Sequence, residues 1–217
     1  MMKILFAILM VASMAVIAND EPFHAALVGA SLMDCPSYCD GAPGTATTLS
    51  GLFAIGGNNL TYRAAAGDLA DDLLRESEEM LSRYFFPGMN MPDFFIWSDT
   101  GQGVYDPAGY INAMRAAFNE WKINSPSTQL VVIAMPPADG VIDWFWEEHS
   151  RSVYERGLLE TRKVAAQYNA LVIDAWEGWE SSGEQHPYYP GGDYHPSARS
   201  RKVAANRIYA ALLEAAK

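Results

Sequence analysis

The sequence predicts a three-layer α/β/α sandwich built around a five-stranded, mainly parallel sheet. Five apolar segments, each about the length of a buried strand, alternate with longer segments whose apolar residues recur at helical spacing. This alternation is typical of βαβ units, in which helices cover both faces of a parallel sheet. The chain of 217 residues also suits one domain of ordinary size.

The predicted elements follow one another in a regular order. The strand segments are residues 24–30, 60–66, 93–98, 129–137 and 170–176. The helical segments are residues 67–85, 106–123, 150–169 and 196–216. Between the first two strands, residues 35–59 form a long Gly-rich excursion. Because a loop of this length in a compact domain is usually functional, we expect it to border the active site.

The first residues are typical of a secretory signal peptide, residues 1–18. Lys3 precedes a mostly apolar run that ends at Ala18. The alternative, a membrane anchor, needs about 20 apolar residues, and here the acidic Asp20 follows at once. We therefore expect cleavage after Ala18, a single mature domain of residues 19–217, and a secreted or periplasmic location.

The charge and the cysteines limit the partners. The formal net charge of −11 repels nucleic acid and anionic lipid, so we expect neither partner once the signal peptide is removed. In an exported protein Cys35 and Cys39 most simply form one local disulfide, with two free thiols as the alternative. Two cysteines with no histidine nearby cannot build a structural zinc site, and we expect no metal and no cofactor.

Two polar residues lie at the ends of predicted elements that should meet at one edge of the sheet. Ser31 comes directly after the first strand segment, and His195 opens the last helix. A nucleophilic serine needs a base within hydrogen-bond reach, and His195 could supply it from an exposed rim. Alternatively, Ser31 is only a helix-capping residue, or His186 in the preceding loop is the base.

These residues resemble three motifs of the GDSL/SGNH hydrolases, serine esterases with a flavodoxin-like α/β/α sandwich. "VGASLMD" is similar to the first motif, with Ala30 where Asp is usual, and implies Ser31 as nucleophile. "YRAAAGDLADDLL" is similar to the second motif and implies that Gly67 donates its N–H to the oxyanion, beside the N–H of Ser31. "YHPS" is similar to the last motif and implies His195 as base.

The sequence departs from the family pattern at two positions. The family's oxyanion asparagine is missing from "IWSDTGQG", where Thr100 or Gln102 could donate instead. The acid that usually stands three residues before the histidine is also missing. Asp193, two residues before it, is our candidate for orienting His195, and Asp174 or a backbone carbonyl is the alternative.

The predicted activity is hydrolysis of small acyl esters, acetyl esters in particular, on a small molecule or a glycan. Tyr188 and Tyr189 flank the histidine loop and are candidates for lining the substrate site. Some of the tryptophans that follow strand ends could form a platform for a sugar ring; they are Trp144, Trp146, Trp176 and Trp179. The alternatives are an exported O-acyltransferase of the same fold and a non-catalytic flavodoxin-like binding module. A lipase of the α/β-hydrolase type is disfavoured because "GASLM" lacks the second glycine of Gly-x-Ser-x-Gly.

Overall fold

The computed structural model describes most of the chain that follows the predicted signal peptide. The described residues are 21–34, 43–65, 68–85, 89–98, 106–141, 143, 145–183 and 194–217. They form a five-stranded sheet of β1 (His24–Gly29), β2 (Asn59–Ala64), β3 (Phe94–Ser98), β4 (Gln129–Ile133) and β5 (Leu171–Ile173). The helices are α1 (Thr45–Ile55), α2 (Ala70–Arg83), α3 (Pro107–Asn124), α4 (Phe145–Glu148), α5 (Arg151–Gln167) and α6 (Ala198–Ala215). A short 3₁₀ turn spans Ala138–Gly140.

Every strand pair in the sheet is parallel, and the spatial order is β2-β1-β3-β4-β5. β1 and β3 lie in the middle and are almost completely buried, as expected for strands that helices cover on both faces. The strand order reverses direction at β1, because the chain moves first to β2 on one side and then to β3 on the other. In open α/β sheets, ligands bind at the carboxyl ends of the strands near such a reversal.

The helices form one layer on each face of the sheet. Alternate residues of β3 point to opposite layers: Phe95 and Trp97 pack with α2, α3 and α5, whereas Phe94 and Ile96 pack with α1 and α6. In the first layer Trp121 of α3 stacks on Phe95 with ring centroids 4.3 Å apart. The predicted three-layer sandwich with a five-stranded parallel sheet is therefore confirmed.

One element differs from the prediction. The excursion of residues 35–59 contains α1, which was not predicted as a helix. Its buried residues Ala46, Leu49 and Phe53 recur at helical spacing and pack toward β1 and α6. α4 has only four residues. Its Trp146 packs beside Tyr154 of α5 in a small cluster that is separate from the cores of the two helix layers.

No helix in the described ranges is both long enough and apolar enough to cross a membrane.

Candidate active site

Ser31 lies in a tight turn directly after β1, at the carboxyl edge of the sheet. The carbonyl of Ala30 accepts the N–H groups of Met33 at 2.8 Å and of Asp34 at 2.9 Å. Met33 is fully buried, whereas Ser31 remains partly exposed. The turn is therefore fixed by backbone hydrogen bonds and one apolar anchor, and the serine stays at the surface of this edge.

The start of α1 holds the same turn from the side. The Thr45 hydroxyl donates to the Leu32 carbonyl at 2.9 Å, and the Ala46 N–H donates to the Met33 carbonyl at 2.8 Å. Thr45 is completely buried. Burial of a hydroxyl that is paired in this way costs little free energy of folding. Loss of the hydroxyl would leave the Leu32 carbonyl without that partner. Thr45 is a supporting residue that the sequence patterns did not reveal.

Gly29, the last residue of β1, allows the turn to pack closely on the sheet. A Cβ atom at this position would lie 2.8 Å from Met33 Cγ and 3.1 Å from Ser98 Cβ. These distances are shorter than ordinary carbon contacts, so any larger residue would push the turn away from β3. The glycine in "VGAS" therefore has a packing role beneath the candidate nucleophile.

His195 is buried, which corrects the expectation of an exposed rim for this residue. Its exposed fraction is 2%, and its ring stacks on Tyr194 with centroids 4.3 Å apart. Its carbonyl accepts the Ser182 N–H at 2.8 Å, and the next residue, Pro196, forms a β-bridge with Ser181. The backbone of His195 is thus attached to the connection that follows β5, which reduces the freedom of the imidazole.

The first turn of α6 begins at the same connection. Ser197 caps the helix by accepting the Ser200 N–H at 3.2 Å, and the Ser200 hydroxyl accepts the Glu180 N–H at 3.0 Å. Arg201, which is 1% exposed, donates to the Pro196 carbonyl at 2.7 Å. These bonds place the start of α6 at the carboxyl end of β5.

Ser31 and His195 therefore lie at the same, carboxyl edge of the sheet. α1 and α6 pack side by side in one layer, and Asn58 Nδ2, just after α1, donates to the Tyr209 hydroxyl of α6 at 3.1 Å. Both helices begin at the carboxyl edge and run toward the amino edge. The structure brings the two candidates to this common edge; a hydrogen bond between their side chains stays a prediction.

The other histidines that the structure describes have structural surroundings. His24 Nε2 lies 3.0 Å from the Thr61 hydroxyl, and burial lowers the pKa of His24. The ring of His149 packs on Phe145 with centroids 4.2 Å apart. Neither residue lies in the Ser31 turn or in the connection that holds His195. The competitor His186 lies outside the described residues.

The remaining predicted site residues also lie outside the described ranges. They are Gly67, Thr100, Gln102, Trp144, Tyr188, Tyr189 and Asp193, together with Cys35 and Cys39 of the predicted disulfide. The oxyanion donors, the acid at position 193, the substrate-lining tyrosines and the disulfide stay predictions. The same holds for the signal peptide of residues 1–18.

The alternative acid, Asp174, is engaged elsewhere. It follows β5 and forms an ion pair with Arg162 of α5, and its side chain is 57% exposed. Trp176 and Trp179 are buried, with exposed fractions of 1% and 7%. Trp179 Nε1 donates to the Pro137 carbonyl at 2.8 Å. These two indoles are parts of the protein interior and do not offer an open ring face to a sugar.

Carboxylates gather beside the Ser31 turn. Burial and then the negative charge of Asp68 raise the pKa of Glu76 in α2 to about 7. Burial, followed by the charge of Asp72, also raises the pKa of Asp68, and Asp34 in the Ser31 turn adds to this increase. One oxygen of Asp68 and one of Glu76 are buried without a hydrogen-bond partner in the described structure. Protonation of Asp68 and Glu76 therefore changes the charge on the α2 side of the edge that carries Ser31.

Comparisons with known proteins come from structure alone. No family model matches the chain, and no curated protein is similar to it in sequence. Solved structures are similar over most of both chains. One is the psychrotrophic esterase EstA from a Pseudoalteromonas species, with 11% identity, a TM-score of 0.63, and coverage of 88% of this chain and 97% of that one.

Two further structures show the same likeness. A GDSL-like lipase from Bacteroides thetaiotaomicron is 14% identical, with a TM-score of 0.61 and coverage of 89% of each chain. A provisionally assigned SGNH hydrolase from Slackia heliotrinireducens is 15% identical, with a TM-score of 0.63 and coverage of 88% of this chain and 100% of that one. The chain therefore has the fold of the GDSL-like lipases and SGNH hydrolases.

Proposed function

We propose that the chain is an exported serine esterase that hydrolyses small acyl esters, acetyl esters of carbohydrates in particular. The observation that carries this proposal is the position of Ser31 in a turn held by backbone hydrogen bonds at the carboxyl end of a central strand, at the same edge of the sheet as His195. The acidic net charge, the fold, and the likeness to a solved esterase and a solved lipase are compatible with this activity. The esters and the export are inferences from the sequence.

The proposed reaction is a two-step acyl transfer. Ser31 Oγ attacks the ester carbonyl while its proton passes to His195, and the tetrahedral oxyanion is held by the N–H groups of Ser31 and Gly67. The C–O bond to the alcohol then breaks, and the alcohol leaves with the proton from His195. Water attacks the acyl-Ser31 ester by the same route in reverse, releasing the carboxylic acid and restoring the hydroxyl.

The structure supports specific parts of this scheme. Backbone hydrogen bonds fix the Ser31 turn, so the nucleophile needs little reorganisation before attack. Burial of His195 against Tyr194 restricts the imidazole. Asp193 is proposed to hold the histidine tautomer, and Thr100 or Gln102 to supply the missing oxyanion donor.

Labelling with a fluorophosphonate tests the nucleophile. EstA has been solved in a form inhibited by monoethylphosphonate, which makes a phosphonate a suitable probe for this fold. Wild type should be labelled and should hydrolyse p-nitrophenyl acetate, whereas Ser31→Ala should lose the label and at least about 10³-fold in kcat. Ser152→Ala, which changes an exposed serine of α5, serves as the matched control and should keep both.

Activity or labelling that survives in Ser31→Ala would overturn the proposal. Because His195 is buried, His195→Gln is a better test of the base than His195→Ala, which would also leave a cavity. His195→Gln should lower kcat by a similar factor while the unfolding temperature changes little.

A further inference from the structure

A cavity of about 280 Å³ lies at the carboxyl edge, between the connections that follow β4 and β5. It is lined by Met135 and Pro137 from the first connection and by Asp174, Trp176 and Glu177 from the second. Ligands of parallel α/β sheets bind at this edge. The cavity is large enough for one sugar ring or a group of similar size.

One side of the cavity is apolar and rigid. Met135 and Trp176 are almost completely buried, with exposed fractions of 3% and 1%. The Pro137 carbonyl accepts the Trp179 indole N–H at 2.8 Å, which joins the two connections behind the cavity. Pro137 is the exposed apolar residue of the lining, so a ligand would meet its ring rather than the two buried side chains, and a proline ring loses little side-chain entropy on binding.

The other side of the cavity is acidic. Asp174 and Glu177 are exposed residues. Arg162 pairs with Asp174, which limits the rotamers of this carboxylate. Ionised carboxylates only accept hydrogen bonds. The cavity thus combines an apolar wall with hydrogen-bond acceptors, and its charge disfavours ligands that carry carboxylate or phosphate groups.

The same connections hold the candidate base. The Ser181 hydroxyl donates to the Gly140 carbonyl at 3.1 Å, and the Ser182 N–H donates to the His195 carbonyl at 2.8 Å. The segment that lines the cavity with Asp174 and Glu177 therefore continues directly into the attachment of His195. A group bound in the cavity would lie beside the connection that supports the catalytic histidine.

We propose that this cavity binds the neutral, hydroxylated alcohol part of the ester substrate, a sugar, with Asp174 and Glu177 accepting its hydroxyl groups. The exposed Pro137 ring suits the C–H face of the sugar, and the carboxylates suit its O–H groups. This inference rests on the proposed esterase function, to which it adds the place where the alcohol part binds.

Two variants of Glu177 test the cavity. Glu177→Ala removes one acceptor, and Glu177→Trp places a bulky side chain at an exposed position of the lining. Both should lower the ratio of kcat/KM for a mono-acetylated methyl glucoside to kcat/KM for p-nitrophenyl acetate by at least about tenfold, since each variant removes a charged hydrogen-bond acceptor. Glu180→Ala makes the same charge change three residues along, outside this cavity, and should leave the ratio as in wild type.

A binding measurement separates this inference from the proposed function. Methyl glucoside, which has no ester, should bind Ser31→Ala protein in isothermal titration calorimetry, and Glu177→Trp added to that variant should weaken the Kd at least about tenfold. An unchanged Kd, or equal losses on both esters in the kinetic ratio, would overturn the sugar site. Failure of the proposed function would show itself differently, as a wild type whose hydrolysis does not depend on Ser31.

Discussion

At the scale of single residues, the two candidate catalytic groups are held in different ways. Ser31 is placed by its backbone, because the Ala30 carbonyl accepts two N–H groups of the turn. His195 is placed by burial and by ring stacking on Tyr194. Ala30, which stands where the resembled family usually has Asp, packs its methyl group among the apolar residues of the α2, α3 and α5 layer. At this position the chain uses an apolar contact in place of a carboxylate.

The residue that orients His195 can be identified by two amide substitutions. If Asp193 holds the imidazole, Asp193→Asn should lower kcat for p-nitrophenyl acetate strongly; the same change in a well-studied serine protease costs about 10⁴. The amide can stabilise the wrong tautomer and offers no charge to the imidazolium. Steady-state kinetics with Asp174→Asn measured in parallel would check this prediction.

The ion pair between Asp174 and Arg162 makes Asp174 the weaker candidate. A large loss of kcat at Asp174 with a near-normal value at Asp193 would show that the acid follows β5. Small losses at both positions would show that a backbone carbonyl orients His195.

At the scale of elements, α2 combines an ordinary helix with an unusual carboxylate. Leu69 N–H is capped by Asp72, and Arg75 pairs with the same side chain at 2.9 Å, so the first turn is well satisfied. Glu76, one turn further along, has a buried oxygen without a partner in the described structure. Burial and the charge of Asp68 make its ionised form costly in the folded state.

This carboxylate predicts a decrease in stability as pH rises. The pKa of Glu76 is about 7 in the folded chain against an ordinary value of 4.5. Between these two pH values the unfolded chain loses a proton that the folded chain keeps, so the free energy of unfolding falls as pH rises from about 4.5 to 7. Glu76→Gln should remove this contribution, and its unfolding temperature should exceed that of wild type at pH 8.

Thermal unfolding at several pH values between 4.5 and 8 measures the effect. Asp71→Asn is the matched control, because it removes one carboxylate from an exposed position of the same helix. The wild-type curve should converge with that of Glu76→Gln toward the acidic end and separate from it above pH 7. Parallel curves over the whole range would contradict the assignment.

At the scale of the whole molecule, both helix layers border the edge of the sheet that carries Ser31. One layer, with α2, α3 and α5, contains the Phe95–Trp121 stack and several other aromatic contacts. In the other, α6 begins directly after the His195 segment, and the start of α1 holds the turn that contains Ser31. The acidic net charge of −11 belongs to the chain as a whole and favours neutral or cationic ligands over anionic ones.

Export of the full chain predicts two covalent changes. Protein secreted through a Sec-type pathway should begin at Asn19, and its mass should show one bond between Cys35 and Cys39. The bond closes a very short loop, so reduction should alter esterase activity more than the unfolding temperature. Intact-mass spectrometry before and after thiol alkylation checks both points. An N-terminus that retains residues 1–18, or two alkylated thiols in the exported protein, would contradict the respective prediction.

The sequence by itself determined where the strands and most helices lie along the chain, and it placed both candidate catalytic residues at the ends of such elements. These features depend on local patterns: buried parallel strands are continuous apolar runs, and helices repeat their apolar residues every three or four positions. α1 was not predicted although its buried apolar residues recur at helical spacing, because three threonines and a glycine, which are poor helix formers, interrupt the pattern and glycines flank it.

Only the tertiary structure decided the features that depend on distances between remote segments. The burial of His195 results from Tyr194 and from the connection after β5, which no local pattern reveals. The pairing of Asp174 with Arg162 and the raised pKa of Glu76 likewise require side chains from different turns or elements to meet. Sequence periodicity specifies which face of an element is buried. The residues that it meets there are set by how the layers pack, because packing brings together side chains that are far apart along the chain.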